Sequence, residues 1–190
     1  MKRPLSSVAL LLFAGFPLCA QPASAAAGAA RLEVPENISG RAAPAQPLPF
    51  SHKTHVGRGL QCRQCHVNPE PGNQMTFPAV ATCMGCHNSI AKDRPAIQKL
   101  AEFAGSGRPI PWLRVYQVTP GVAWTHRKHL QAGMQCVNCH GQVGQLEQMA
   151  ETTAVTSMAS CISCHQAHNA GTVCQTCHAW PAGDNASSAR

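Results

Sequence analysis

Rings and charges are both scarce in this chain. Aromatic residues make up 5% of it and charged residues 12%, with a single tyrosine among 190 residues. Glycine and proline number 15 each, so helix and strand breakers are plentiful where core builders are few. Such a chain is not expected to hold itself together by side-chain burial alone; small loop-rich units usually need a staple such as disulfides or metal. Long apolar runs are missing too. Val8 to Ala14 is continuous but falls short of the roughly 20 residues of a membrane span, and no other stretch is apolar enough to cross a bilayer. Acidic residues are few, which leaves a formal charge of +7. That balance raises nucleic acid as a partner, but the N-terminus argues against it.

Met1-Lys2-Arg3 is a short positive start, Val8 to Ala14 an apolar run and Ala23-Ser24-Ala25 a small-x-small end, the pattern of a signal peptide over residues 1–25. Cleavage is expected, with an uncleaved N-terminal anchor, and the peripheral membrane association it brings, as the alternative. Cys19 raises lipidation, but Leu18 stands before it where a small residue belongs. Export to the periplasm excludes nucleic acid. Residues 26–47 form an Ala/Pro-rich linker expected to be flexible, and residues 182–190 a disordered tail.

Cysteine is what the chain has in excess. Of eleven, Cys19 lies in the leader, and the other ten form five motifs: Cys62-Arg-Gln-Cys65-His66, Cys83-Met-Gly-Cys86-His87, Cys136-Val-Asn-Cys139-His140, Cys161-Ile-Ser-Cys164-His165 and Cys174-Gln-Thr-Cys177-His178. Each is C-x-x-C-H, the attachment signature of c-type haem. On a helical turn, positions i, i+3 and i+4 share a face, so two sulfurs reach the vinyl-derived carbons of one porphyrin while the histidine ligates its iron. Disulfides suit exported cysteines but do not explain a histidine after every second one. Zinc ribbons use C-x-x-C pairs without needing the fifth residue, and a thioredoxin-like motif comes singly in a βαβ setting. Five covalently bound haem c groups are therefore expected, with His66, His87, His140, His165 and His178 as proximal ligands.

Ten histidines are present, so five remain: His52, His55, His126, His129 and His168. Five spare imidazoles for five irons predict bis-histidine ligation, with these five as distal ligands. Met75, Met134, Met149 and Met158 are the competing distal ligands. His52 and His55 are three apart and project from one side of a helical turn; an iron has one vacant axial site, so each such pair should serve two different haems. His168, three beyond His165, should likewise serve another haem than its neighbour's.

An internal repeat orders these residues. Phe50-Ser-His52-Lys-Thr-His55-Val-Gly-Arg-Gly59-Leu-Gln61-Cys62 aligns without a gap to Trp124-Thr-His126-Arg-Lys-His129-Leu-Gln-Ala-Gly133-Met-Gln135-Cys136. A second motif follows each copy, and the later copy adds a third. The organisation expected is a dihaem module over 48–92, a helix and connector over 93–119 and a trihaem module over 120–181. Between the modules Asp93 reads as an N-cap, Ile97, Leu100, Ala101 and Ala104 as an apolar stripe, and Gly105 as the helix stop. Arg108 to Val118 reads as an extended connector with a short strand. The fold class is a haem-dominated small fold, mostly irregular with short α-helices, in two repeated modules.

The F-S-H-x-x-H lead into C-x-x-C-H, at Phe50 to His55, resembles the cytochrome c3 and c7 group of multihaem cytochromes. Thr82-Cys83-Met-Gly-Cys86-His87, Ile110-Pro-Trp-Leu-Arg-Val-Tyr116 and Trp124-Thr-His-Arg-Lys-His-Leu130 are further similar to the pentahaem cytochrome subunits of bacterial alternative complex III. The resemblance covers about residues 48–180. It implies an electron-transfer protein rather than an enzyme, with redox-protein partners and a quinol-oxidising membrane complex as its donor. The other functional class is a multihaem reductase of nitrogen or sulfur oxyanions, which needs one open haem; none of the five motifs departs from C-x-x-C-H. Without Lys2 and Arg3 the charge of +7 falls to +5, and each haem adds two propionates against one net positive ferric centre. The oxidised holoprotein is thus expected near neutrality, with Arg58, Lys92, Arg94, Arg127 and Lys128 pairing propionates or acidic partners.

Overall fold

The computed structural model describes residues 34–68 and 72–179. The leader at 1–25, the first part of the linker and the tail at 182–190 lie outside the described residues. Within them the chain forms short helices joined by irregular segments: α1 (His52–Val56), α2 (Cys62–Cys65), α3 (Val80–His87), α4 (Pro95–Ser106), α5 (His126–Gln131), α6 (Cys136–His140), α7 (Met158–Ala167) and α8 (Cys174–Cys177). No sheet occurs among the described residues, only the isolated bridges Glu36–Thr153 and Val122–His178. This is the mostly irregular, two-module architecture expected from the sequence. No helix of the described residues is long and apolar enough to cross a membrane.

Helices this short do not persist on propensity, and their ends carry most of their hydrogen bonding. The two repeats solve this in the same way. Ser51 caps α1 by accepting from the Thr54 N–H, and Thr125 caps α5 by accepting from Lys128. Gln61 and Gln135 each head a reciprocal capping box onto α2 and α6. Gly59 and Gly133 both sit at positive φ, 90° and 88°, where the chain turns from the histidine helix into the cysteine helix.

The apolar core is small. Only Val34, Leu48, Leu100 and Ile110 are buried hydrophobics among the described residues. Leu48, Leu100 and Ile110 form one cluster, with Val80, Met84, Ile97, Phe103 and Trp112 packed against it. This cluster clamps α4 onto α3 and so fixes the second haem motif.

Three local expectations change. Helix α4 is capped by Arg94 without a side-chain bond, not by Asp93, because Pro95 occupies the first turn. It runs through Gly105 and stops at Gly107, which adopts φ 66°. Phe103 reaches the core with Ile97 and Leu100, while Ala101 and Ala104 are exposed. The Arg108–Val118 connector contains no strand. Its Leu113 instead exchanges two bonds with one side chain, donating to Gln46 Oε1 at 3.0 Å and accepting from Gln46 Nε2 at 2.9 Å.

The linker residues 34–47 are docked rather than loose. Ala154 donates to the Pro35 carbonyl at 2.9 Å and Asn37 donates to Thr152 at 3.1 Å. Arg41 pairs with Glu151 at 2.8 Å, and that carboxylate also accepts from Asn37 Nδ2. The segment straps the later module and ends at Leu48 in the core of the earlier one.

Candidate haem centres

All five C-x-x-C-H motifs lie on helical turns: α2, the end of α3, α6, the middle of α7 and α8. The ten cysteines are free of disulfides. His66 and His178 follow their helices in extended conformation, at φ −108° and −114°, while His87, His140 and His165 lie inside theirs.

The histidines meet in pairs, each joining a C-x-x-C-H histidine to one from α1 or α5. His52 faces His66 with ring centroids 6.4 Å apart, and His55 faces His87 at 6.2 Å. In the later module His126 faces His140 at 6.2 Å and His129 faces His165 at 6.1 Å. Metal–imidazole bonds run about 2.0–2.1 Å, as seen with zinc, and a ring nitrogen lies about 1.1 Å from its centroid. Two imidazoles bound on opposite sides of one metal therefore place their centroids about 6.3 Å apart. The four separations fit an iron held between each pair.

The second ring nitrogens support this geometry. Nδ1 of His55 bonds the Ser51 carbonyl at 2.8 Å, and Nδ1 of His129 the Thr125 carbonyl at 2.9 Å. Nδ1 of His66 bonds Thr76 O at 2.9 Å, His87 bonds Ile90 O at 3.1 Å, and His165 bonds Gly171 O at 2.6 Å. A carbonyl accepts, so Nδ1 carries the proton and Nε2 is left free to ligate a metal in each of these rings. Burial, with the neighbouring His66 and His55, lowers the pKa of His52; burial and then His66 lower that of His140. For His126 burial prevails over the bond to the Asn73 carbonyl and brings the pKa to about 4. All three rings are thus neutral at neutral pH, the form that ligates metal.

The attachment cysteines of different motifs are neighbours. The Cys83 thiol is pushed up by burial and then by Cys65, that of Cys161 by burial and then by Cys177. Cys136 is raised by burial and then by Cys62, whose thiol it also meets in a hydrogen bond. Among the described residues no three His, Cys, Asp or Glu side chains converge as a zinc site requires; the ligands converge two by two.

The fifth motif is placed differently. His178 is half-buried and bridges to Val122, and the Ala123 N–H donates to the Cys177 carbonyl. His168 caps the C-terminus of α7 and is exposed. Of the competing methionines, Met158 is exposed at the start of α7. Several supporting groups carry no motif. Phe50 stacks on His55 at 4.3 Å and Trp124 on His129 at 5.6 Å. Tyr116 lies 5.1 Å from the His140 ring and accepts from the Thr152 N–H at 2.7 Å. Thr152 and Thr153 donate to the carbonyls of His140 and Cys139. The aromatic match of Phe50 to Trp124 and the solitary tyrosine were available signals; backbone acceptors leave none.

Residues 29–101 match the class III cytochrome C family, and residues 122–179 match the family of cytochrome c7 and related cytochrome c. The chain is a multihaem c-type cytochrome of the electron-transport kind, built from two c3/c7-type domains, and it carries multiple covalent haems. It is 39% identical over 98 residues to a protein named menaquinone reductase, multiheme cytochrome c subunit, from Nitratidesulfovibrio vulgaris (strain Hildenborough). The match takes in 50% of this chain and 45% of that one, so the chain spans less than half the length of this relative.

Proposed function

We propose that the chain is a periplasmic pentahaem electron conduit and serves as the cytochrome subunit of a membrane complex that handles quinone. Haem supplies a one-electron Fe(III)/Fe(II) couple when bound. In this reading Cys62 and Cys65, Cys83 and Cys86, Cys136 and Cys139, Cys161 and Cys164, and Cys174 and Cys177 hold one haem each. His66, His87, His140, His165 and His178 are proximal ligands; His52, His55, His126, His129 and His168 are distal. The observation that carries it is the four histidine pairs at 6.1–6.4 Å, each ending on a different C-x-x-C-H helix. With two imidazoles holding each haem, no place would be left for a small ligand, which would favour electron transfer over substrate chemistry. Carbonyl acceptors on Nδ1 make the imidazoles more basic and keep the potentials low. Adjacent attachment sulfurs, Cys65 by Cys83, Cys62 by Cys136 and Cys161 by Cys177, support close passage among the first three centres and between the last two.

The quinone assignment draws on two likenesses: the runs shared with alternative complex III cytochromes, and the relative named as a menaquinone reductase subunit. Both pair a multihaem cytochrome with quinone chemistry, and that common element is what we assign. The test is expression with a c-type maturation system followed by purification from native membranes. Five acid-stable haems by mass, copurification of a quinone-reactive complex and electron exchange with a menaquinol analogue are the expected results. Four haems or fewer in fully matured protein would overturn the count, and isolation free of any membrane subunit would overturn the assignment to a complex.

A further inference from the structure

The two repeats are offset by 74 residues, and so are several contacts between them. In one, the Lys53 N–H in the first turn of α1 donates to the Leu146 carbonyl at 3.0 Å. In the other, the Arg127 N–H in the first turn of α5 donates to the Gly72 carbonyl at 3.2 Å. Position 127 is 53 displaced by 74, and 146 is 72 displaced by 74. The same bond is made twice with the halves exchanged, which is the isologous signature of a two-fold interface, here within one chain.

The surroundings repeat the exchange. Asn73 O accepts from the His126 N–H at 3.4 Å and lies 3.3 Å from its Nδ1; Glu147, displaced from Asn73 by 74, instead pairs through its side chain with Lys53, the neighbour of His52, at 3.5 Å. Each histidine helix also packs a side chain on the opposite half, Val56 of α1 on Gly144 and Arg127 of α5 on Gly72, though these two contacts are not related by the 74-residue offset. Equivalent residues also face one another: Cys62 meets Cys136, and His66 influences His140. Each pair is again 74 apart, as residues beside a two-fold axis must be.

The physical reason lies in the helix ends. Helices α1 and α5 span 5 and 6 residues, and each leaves first-turn N–H groups without a partner of its own. Ser51 and Thr125 satisfy one donor apiece; the opposite half satisfies others. We propose that the two halves form an internal two-fold pair in which each positions the distal-histidine helix of the other. Residues 72 and 73 set His126 over His140, and residues 146 and 147 set His52 over His66. Gly72, Asn73, Leu146 and Glu147 are positioning residues, and electrons cross between the halves where Cys62 meets Cys136. The proposal rests on the bis-histidine reading above.

Gly72→Val in the full holoprotein tests it. Gly72 has φ 81°, and a Cβ there would lie 2.6 Å from Arg127 Nε and 2.8 Å from Arg127 Cβ, so α5 must move. The substitution lies in the earlier half, outside every haem motif. With five haems still present by mass, one of the five should gain a high-spin, carbon-monoxide-binding fraction, and its difference spectrum should match that of His126→Ala. Gly144→Val is the reciprocal arm: its Cβ would crowd Val56 Cγ1 at 3.1 Å and should disturb the haems altered by His52→Ala or His55→Ala. The proposal is overturned if either variant disturbs only its own half or leaves every haem low-spin. If Gly72→Val lowers the haem count, Gly144→Val decides alone. Should His126→Ala itself produce no high-spin haem, the ligation reading fails, a result separate from failure of the exchange.

Discussion

The two modules share one histidine and cysteine pattern, extended in the later one by the motif at Cys174–His178, on different scaffolds. The earlier one buries Leu48, Leu100 and Ile110, so α3 and its motif lean on an apolar cluster. In the later one the buried residues are Asn138, Thr153 and Ser160. There the Thr153 hydroxyl donates to the Cys139 carbonyl at 2.6 Å, and Tyr116 gathers the Thr152 and Thr153 N–H groups. Either scaffold holds paired imidazoles near 6.2 Å, so the spacing does not depend on which kind of packing enforces it. A haem-sized gap between rings asks only for rigidity, and a polar network without loose ends supplies that as well as an oily cluster does.

The strongest way to break the comparison is to remove one ligand from each module. His52→Ala and His126→Ala should each leave five haems attached and turn one haem fully high-spin and open to carbon monoxide; visible spectra of the ferrous protein check this. A response in one module alone would mean that the repeats are not equivalent.

Packing comes next. Leu100→Ala should cost about 2–4 kcal/mol by emptying the apolar cluster, and should loosen the Cys83–His87 haem before the others. Tyr116→Phe should cost about 1–3 kcal/mol, because the Thr152 and Thr153 N–H groups lose their acceptor, and should act on the Cys136–His140 haem. Thermal melts followed haem by haem would sort the two. Equal loosening of both modules by either change would show that the scaffolds share one cooperative unit.

A third difference lies in ring orientation. His52 and His66 are within 14° of parallel and His126 and His140 within 18°, but His55 and His87 cross at 68°. Near-parallel axial rings split the iron d orbitals more than crossed ones do. Low-temperature EPR should therefore show two similar rhombic low-spin signals and at least one with a much larger g-anisotropy.

The smallest expected effect concerns one proton. His126 Nδ1 has the Asn73 carbonyl at 3.3 Å, whereas His52 Nδ1 is buried with no partner. A hydrogen-bonded ligand is the more basic and stabilises the ferric state, so the His126 haem should lie some tens of mV below the His52 haem. Asn73 supplies a backbone atom, so the sharper variant is Gly72→Val, which should narrow that gap in a redox titration.

Much of this molecule is written along the chain. The five C-x-x-C-H spacings follow from what one porphyrin and one helical turn can share, and the scarcity of aromatic residues agrees with a small apolar core, four buried side chains among the described residues. The repeat and the equal numbers of motif and spare histidines are also visible without coordinates. Other features were misread where a local rule had two solutions. Gly105 and Gly107 can both end a helix, and it is Gly107 that takes the left-handed conformation and stops α4. The Ala/Pro-rich composition of 34–47 is that of a free linker, yet Glu151, more than a hundred residues away, binds it. Sequence by itself determined which atoms are available: sulfurs at i and i+3, an imidazole at i+4, and two more imidazoles ahead of each module. Tertiary structure alone decided which imidazole faces which, and that each half anchors the other's helix. The reason is that these anchors are backbone carbonyls at 72, 73 and 146, which every residue carries, so nothing in the side-chain pattern could mark them.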